Sequence, residues 1–186
     1  MIDTLCRLLD AGVTQFHVVK ECENILLDHD YRKLDIGERW ELMAGGRYYV
    51  KPYPSMLVAF AIGEVPEYGR LNIGLAHTDF PMLKIKTQPD MNRCGYQTLN
   101  VEPYGGLIKE TWFDRPLGIA GKVVVQTEDP FRPRTYLYDS ERAMCIVPSL
   151  APHLRKETTG DKMNVQKELI PVYGLNGQNV KEKDIL

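Results

Sequence analysis

Leu71-Asn72-Ile73-Gly74-Leu75-Ala76 is a short, mostly apolar run that ends abruptly in the polar His77-Thr78-Asp79. A run of this length and content predicts a strand buried in a sheet. In an open α/β sheet the loop after such a strand is held rigidly and faces a crevice, so ligand-binding groups gather there. His77 can offer one ring nitrogen to a metal ion, and the carboxylate of Asp79, two residues on, can orient the ring from the other nitrogen. The three residues alone leave two readings open: a metal ligand with its orienting acid, or a hydrogen-bonded histidine at a strand end.

Outward from this segment the periodicity changes twice. Downstream, Met82 to Lys86 alternates as another strand. Upstream, Tyr48-Tyr49-Val50 and the run Met56 to Gly63 predict two strands joined by a turn at Pro52-Tyr53-Pro54, the second apolar enough for burial on both faces. Nearer the start, Ile2, Leu5, Cys6, Leu8 and Leu9 recur at helical spacing until Ala11-Gly12. Thr14 then serves as N-cap of a second helix whose apolar stripe is Val18, Cys22, Ile25 and Leu26, fading at Asp28-His29-Asp30. The pair predicts a helical hairpin laid against the strands.

Beyond Cys94 no amphipathic helix is visible for a long way. Tyr96 to Glu102, Gly121 to Val125, Tyr136 to Tyr138 and Cys145 to Val147 predict strands between Gly, Pro and Asp turns. The change of character places a domain boundary near residue 95. The tail from Thr158 lacks a periodic apolar pattern, which predicts poor order there.

Composition bounds the rest. The 186 residues hold 44% hydrophobic and 26% charged side chains, enough to bury a core without staples. The formal charge is −2, with 23 basic residues among 25 acidic ones, so nothing marks a nucleic-acid partner. Cys6, Cys22, Cys94 and Cys145 form no C-x-x-C pair and are expected to be buried free thiols. No stretch approaches the ~20 apolar residues of a membrane span, and the first residues do not form a secretory signal, so a reducing cytoplasm is the expected compartment.

Gly74-Leu75-Ala76-His77-Thr78-Asp79-Phe80-Pro81-Met82-Leu83-Lys84-Ile85-Lys86 resembles the G-A-H-T-D-S-P-x-L-K-[LV]-K segment of the aspartyl aminopeptidase family of zinc metallopeptidases. Further segments follow in the family's order. Thr14-Gln15-Phe16-His17 resembles P-T-P-F-H, Val101 to Gly106 resembles V-E-x-Y-G-G, and Thr111 to Leu117 resembles T-W-F-D-R-D-L. Leu117 to Val125 resembles L-x-[LI]-A-G-[RK]-V-[VI]-V, and Ile146 to Leu154 resembles I-P-x-L-A-I-H-L. The departures are Phe80 for serine, Pro116 for aspartate and Pro152 for isoleucine, the last beside His153.

The resemblance implies the N-terminal part of an α/β/α zinc-peptidase domain over residues 1–94. Over residues 95–186 it implies the first part of an inserted β-rich dimerisation domain. It implies that His77 is a zinc ligand, that Asp79 is the catalytic-site carboxylate orienting it, and that His153 reaches the partner subunit's active site to help bind substrate. It further implies two zinc ions, roughly 3.5–4 Å apart in such sites, that activate a bridging water for hydrolysis of a peptide substrate at its N-terminal, acidic residue. The expected assembly is a homo-oligomer built from dimers. The family's remaining ligands fall after the inserted domain, so the chain is expected to be inactive alone, since catalytic zinc takes three protein ligands. The alternatives are a non-catalytic assembly module derived from such a peptidase, or an unrelated binder of a single metal ion. Asp114, His17 and His29 are assigned structural roles: an ion pair or turn, a helix start, and a solvated helix end.

Overall fold

The computed structural model describes residues 2–65, 71–154 and 163–176. Its elements run α1 (Ile2–Ala11), α2 (Gln15–Asp28), β1 (Arg32–Lys33), β2 (Arg47–Tyr53), β3 (Met56–Ala61), β4 (Met82–Arg93), β5 (Tyr96–Tyr104), β6 (Pro116–Leu117), β7 (Ala120–Val125), β8 (Arg134–Asp139), β9 (Cys145–Ile146), α3 (Val165–Glu168) and β10 (Val172–Leu175). The chain divides into two compact units. One comprises Met1–Phe80 with Ala120–Tyr138, and the other Pro81–Ile119 with Asp139–Leu186.

The first unit is built around β2. It lies between β1, which it pairs in parallel, and β3, which it pairs antiparallel from Arg47↔Ala61 to Tyr53↔Met56. The expected helical hairpin and strand pair both form, and Pro54-Ser55 make the turn. Along β2 successive side chains alternate faces, and both faces are covered. On one face Tyr48 and Val50 pack with Leu34, Phe60 and Ile62. The Tyr48 and Phe60 ring centroids are 5.6 Å apart, and Trp40 stacks on Phe60 at 6.0 Å. The Tyr48 hydroxyl accepts from the Met43 N–H at 2.9 Å, so this buried aromatic keeps a polar partner.

On the other face Tyr49 meets α2. The register puts Lys33 opposite Tyr49, and Lys51 falls two residues along, so all three share a face. They converge on Glu23 of α2. Lys33 Nζ and Lys51 Nζ each donate to its carboxylate at 2.7 Å, and the Tyr49 hydroxyl donates at 3.1 Å. Burial alone would raise the Glu23 carboxyl. The three hydrogen bonds and the Lys51 charge outweigh that and hold it at about 2. Burial, with the hydrogen bond and charge of Glu23 adding to it, pushes the Tyr49 hydroxyl up to about 12. Val19, one turn before Glu23, is fully buried and anchors the helix. The expected stripe of Val18, Cys22, Ile25 and Leu26 flanks Val19 and is half-buried.

Both helix ends of α2 follow the sequence reading. Thr14 is the N-cap, its hydroxyl accepting from the His17 N–H and lying 2.7 Å from His17 Nδ1. At the other end His29 Nδ1 donates to the Ile25 carbonyl at 2.8 Å from an exposed ring.

Several expectations are corrected here. The run 71–76 is not a strand: it pairs with nothing among the described residues, and Leu71, Ile73 and Leu75 are 84%, 75% and 93% exposed. An apolar run becomes a strand only where a neighbouring strand takes its N–H and C=O groups, and none of the described strands pairs with it. Likewise β3 is largely exposed rather than buried on both faces, because it is the outer strand of its sheet. Of the four thiols, Cys6 and Cys94 are exposed, and only Cys22 and Cys145 are partly buried. Burial pushes both of those thiols up, with Glu21 adding to the effect at Cys22.

The second unit holds a five-stranded sheet in the order β4-β5-β10-β9-β6, with every pair antiparallel. β4 and β5 form a long hairpin whose tip is Cys94-Gly95, with φ of 49° and 84°. Two successive left-handed residues make the turn whose twist suits a two-residue hairpin. Residue 95, the expected domain boundary, is therefore the tip of this hairpin, while the compact units part at Phe80/Pro81. The register slips between Ile85 and Asp90, and Pro89 sits in that irregularity, where a residue without an N–H costs no ladder bond.

β10 corrects the reading of the tail. It occupies the middle of the sheet, pairing Val172 with both Thr98 and Ile146, and the preceding Leu169 is fully buried. A Cβ at Gly174 would meet the Gln97 side-chain oxygen at 2.5 Å, so any larger residue there would have to displace the end of that side chain. Residues 158–162 and 177–186 of the tail lie outside the described residues. The strands expected at 121–125 and 136–138 form and pair as β7 and β8, but they belong to the first unit and not to the β-rich part assigned to residues 95–186; there Lys122 Nζ sits 5.0 Å from the Phe16 ring centroid. No helix among the described residues is long and apolar enough to cross a membrane.

Two outcomes follow. Glu23→Gln lowers unfolding stability by about 1–2 kcal/mol at pH 7, a figure reduced from the full linkage value for solvent screening. Because the folded carboxyl titrates below its ordinary value of 4.5, that stability is present above pH 4.5 and drains as pH falls toward 2. Denaturant titrations should therefore show wild type and variant converging at low pH. Leu169→Ala should lower the denaturant midpoint by an amount equivalent to about 2–5 kcal/mol, the cost of a core cavity; a poorly ordered tail would show no change.

Candidate functional site

The segment carrying His77 leaves the unpaired run 71–76 and turns at Thr78. His77 is exposed, its side chain 83% accessible and that of Asp79 40%. His77 Nδ1 lies 2.6 Å from the Asp79 carbonyl oxygen and 3.4 Å from Asp79 Oδ1. A carbonyl oxygen can only accept, so Nδ1 carries the proton and donates. With Nδ1 donating, a neutral ring carries its lone pair on Nε2, the form in which imidazole binds a metal ion. Both the backbone oxygen and the carboxylate of Asp79 thus lie close to His77 Nδ1.

Thr78 fixes the turn from the other side. Its hydroxyl donates to the Ser55 carbonyl at 2.9 Å, tying the segment to the turn between β2 and β3. Sequence reasoning missed this contact, because 23 residues separate the two groups and only the hairpin brings them together.

Among the described residues, no three His, Cys, Asp or Glu side chains gather into a group able to hold a metal ion. The donor chemistry of His77 fits one coordination position of a zinc site. It does not complete one, since zinc in a catalytic site takes three protein ligands. No hydrolytic step can be built on these residues alone.

His153 lies in a single 3-10 turn, Pro152–Leu154, and is exposed. It belongs to the second compact unit and His77 to the first. Asp114 is structural, as expected: it takes a left-handed φ of 56°, and its Oδ1 accepts from the Ser149 N–H at 2.9 Å. Arg115 donates to the Thr111 carbonyl at 3.3 Å, which braces the same turn.

Comparison with known proteins follows the motifs. Residues 8–185 match the family described as Aminopeptidase I zinc metalloprotease (M18). Proteins named probable M18 family aminopeptidase 2 are similar to this chain. The one from Clostridium acetobutylicum is 37% identical over 175 residues, covering 92% of this chain and 40% of its own length. The one from Stutzerimonas stutzeri is 40% identical over 171 residues, covering 90% and 39%. Among solved structures, a chain in the cryo-EM structure of the Ape4 and Nbr1 complex superposes with a TM-score of 0.85 at 32% identity, covering 98% of this chain and 35% of that one. The chain thus spans about two fifths of the length of the curated relatives it matches. On the match over residues 8–185 and on these identities, the chain belongs to the M18 family of aminopeptidase I zinc metalloproteases.

Proposed function

We propose that this chain supplies the first metal ligand of a zinc-dependent aminopeptidase that removes N-terminal, acidic residues from peptides. The observation that carries the reading is the His77 ring, held by the Asp79 carbonyl with Nε2 turned to solvent. Such an outer partner selects the tautomer and raises ligand basicity, as is usual for metal-binding histidines. Family membership supports zinc as the metal, and two ions would both polarise the scissile carbonyl and activate water between them. The remaining ligands belong to the three fifths of its relatives' length that this chain does not match, so we assign the chain alone no activity.

In this reading Asp79 is a catalytic-site residue that orients His77. His153 presents an imidazole to substrate across a subunit interface, the exposed turn at 152–154 being free to reach a partner. The protein is a homo-oligomer built from dimers and works in the cytoplasm, where its four free thiols stay reduced. A non-catalytic assembly module is the second reading. What favours it is the exposed apolar run Leu71, Ile73 and Leu75, a surface that calls for a covering partner whether or not chemistry occurs.

The test uses the protein extended to the length of its relatives. There His77→Ala should abolish zinc-dependent release of N-terminal aspartate or glutamate from peptides. Asp79→Asn, which keeps the backbone carbonyl and removes only the carboxylate charge, should lower zinc affinity or turnover by less than the roughly 10- to 100-fold that loss of an outer partner costs. The 186-residue chain, stripped by chelator and returned to zinc, should retain well under one equivalent. An extended His77→Ala protein with undiminished activity would end the reading of His77 as a ligand, and an extended protein with His77 intact that assembles without any activity would leave the module.

A further inference from the structure

The loop that presents His77 has no ladder to hold it. Residues 71–77 pair with no strand among the described residues, and the side chains before His77 stand in solvent. Rigidity must come from elsewhere. In the preceding turn direction the Thr78 hydroxyl donates to the Ser55 carbonyl at 2.9 Å, half-buried, while the His77 ring bonds only two residues along its own chain, at Asp79. Ser55 sits in the turn between β2 and β3. That turn is fixed by the register Tyr53↔Met56 and by the buried side chains Tyr48, Tyr49 and Val50 on the strand leading into it.

From this geometry we infer that Thr78 is a positioning residue: its bond to the Ser55 carbonyl sets the backbone of residues 77–79 so that the Asp79 carbonyl faces His77 Nδ1. The inference deepens the metal-ligand reading of His77 and rests on it. The physical argument is short. A ring hydrogen-bonded two residues along the chain keeps that bond only while the φ/ψ angles between the two residues stay put. In an exposed segment without ladder bonds, the entropy of releasing them favours release. One hydroxyl bond to a rigid strand turn removes that freedom from Thr78, the residue between. A hydrogen bond of this kind to a well-ordered acceptor outweighs the motion of a single residue only narrowly, so its loss should be visible.

The test reads the tautomer directly, on the 186-residue chain, without metal and without activity. Long-range proton–nitrogen correlation on histidine-labelled protein, at a pH where the ring is neutral, reports which nitrogen carries the proton. His77→Gln identifies the resonances by their loss. Wild type should show His77 protonated at Nδ1. Thr78→Val, which keeps shape and removes the hydroxyl, should move the population toward the Nε2-protonated form, and Thr78→Ser should restore it. Thr78→Ala stands in if the valine variant does not fold, with far-UV dichroism and the thermal midpoint of each variant as the check on folding.

The outcomes separate cleanly. If wild type is not Nδ1-protonated, both the orientation of His77 as a ligand and the tether fall. If wild type is Nδ1-protonated and the valine and alanine variants match it, the tether alone is overturned while the ligand reading stands. A shift in Thr78→Val that serine does not rescue would also overturn it, since the effect would then come from packing rather than the hydroxyl.

Discussion

A single carboxylate organises the first unit. Glu23 accepts hydrogen bonds from Lys33, Lys51 and Tyr49, which come from two strands paired in register. Desolvating a lone acid beneath a helix would be unfavourable, and it is the two ammonium groups and the hydroxyl that reverse the sign. With α2 seated on this face, the opposite face of β2 is free to bury Tyr48 and Val50 against Leu34 and Phe60. β2 is thereby covered on both sides although it belongs to a sheet of only three strands. The turn at its end inherits that order.

The functional segment borrows its order from that turn and not from the sheet itself. His77 follows a run of alternating apolar residues that would suit a buried strand, yet the run stands in solvent and makes no ladder. Apolar residues in a strand pattern supply burial energy only when a neighbouring surface exists to receive them. Here polar contacts substitute: Thr78 to Ser55 and His77 to Asp79 hold a three-residue turn that packing does not. The exposed leucines and isoleucine are the counterpart of that arrangement, a surface with nothing on it.

The sequence was most legible where local chemistry decides. Thr14 and His29 bound α2 because a hydroxyl caps orphan N–H groups and an imidazole can bond a terminal carbonyl. β4, β5, β7, β8 and β9 announce themselves by alternation and turn residues, and Cys94-Gly95 closes the longest hairpin in a left-handed turn. The residues around His77 were legible as chemistry, and through the ordered motifs as a family. What could not be read was long-range partnership. β10 is four residues long, too short for any period to show, and becomes a strand because β5 and β9 flank it. Glu23 carries no motif in the sequence, and only the strand register brings three donors to it.

By itself the sequence determined the helix boundaries, most of the strands and the family, because caps, alternation and motif residues act over a few positions. Only the tertiary structure decided which strands are central, that the run before His77 pairs with none of the described strands, that the His77 ring meets the Asp79 carbonyl and that the Thr78 hydroxyl meets the Ser55 carbonyl. Those outcomes depend on which distant groups meet. Hydrogen bonds and burial reward a segment only when its partner arrives, and nothing in a local stretch of chain records whether it will.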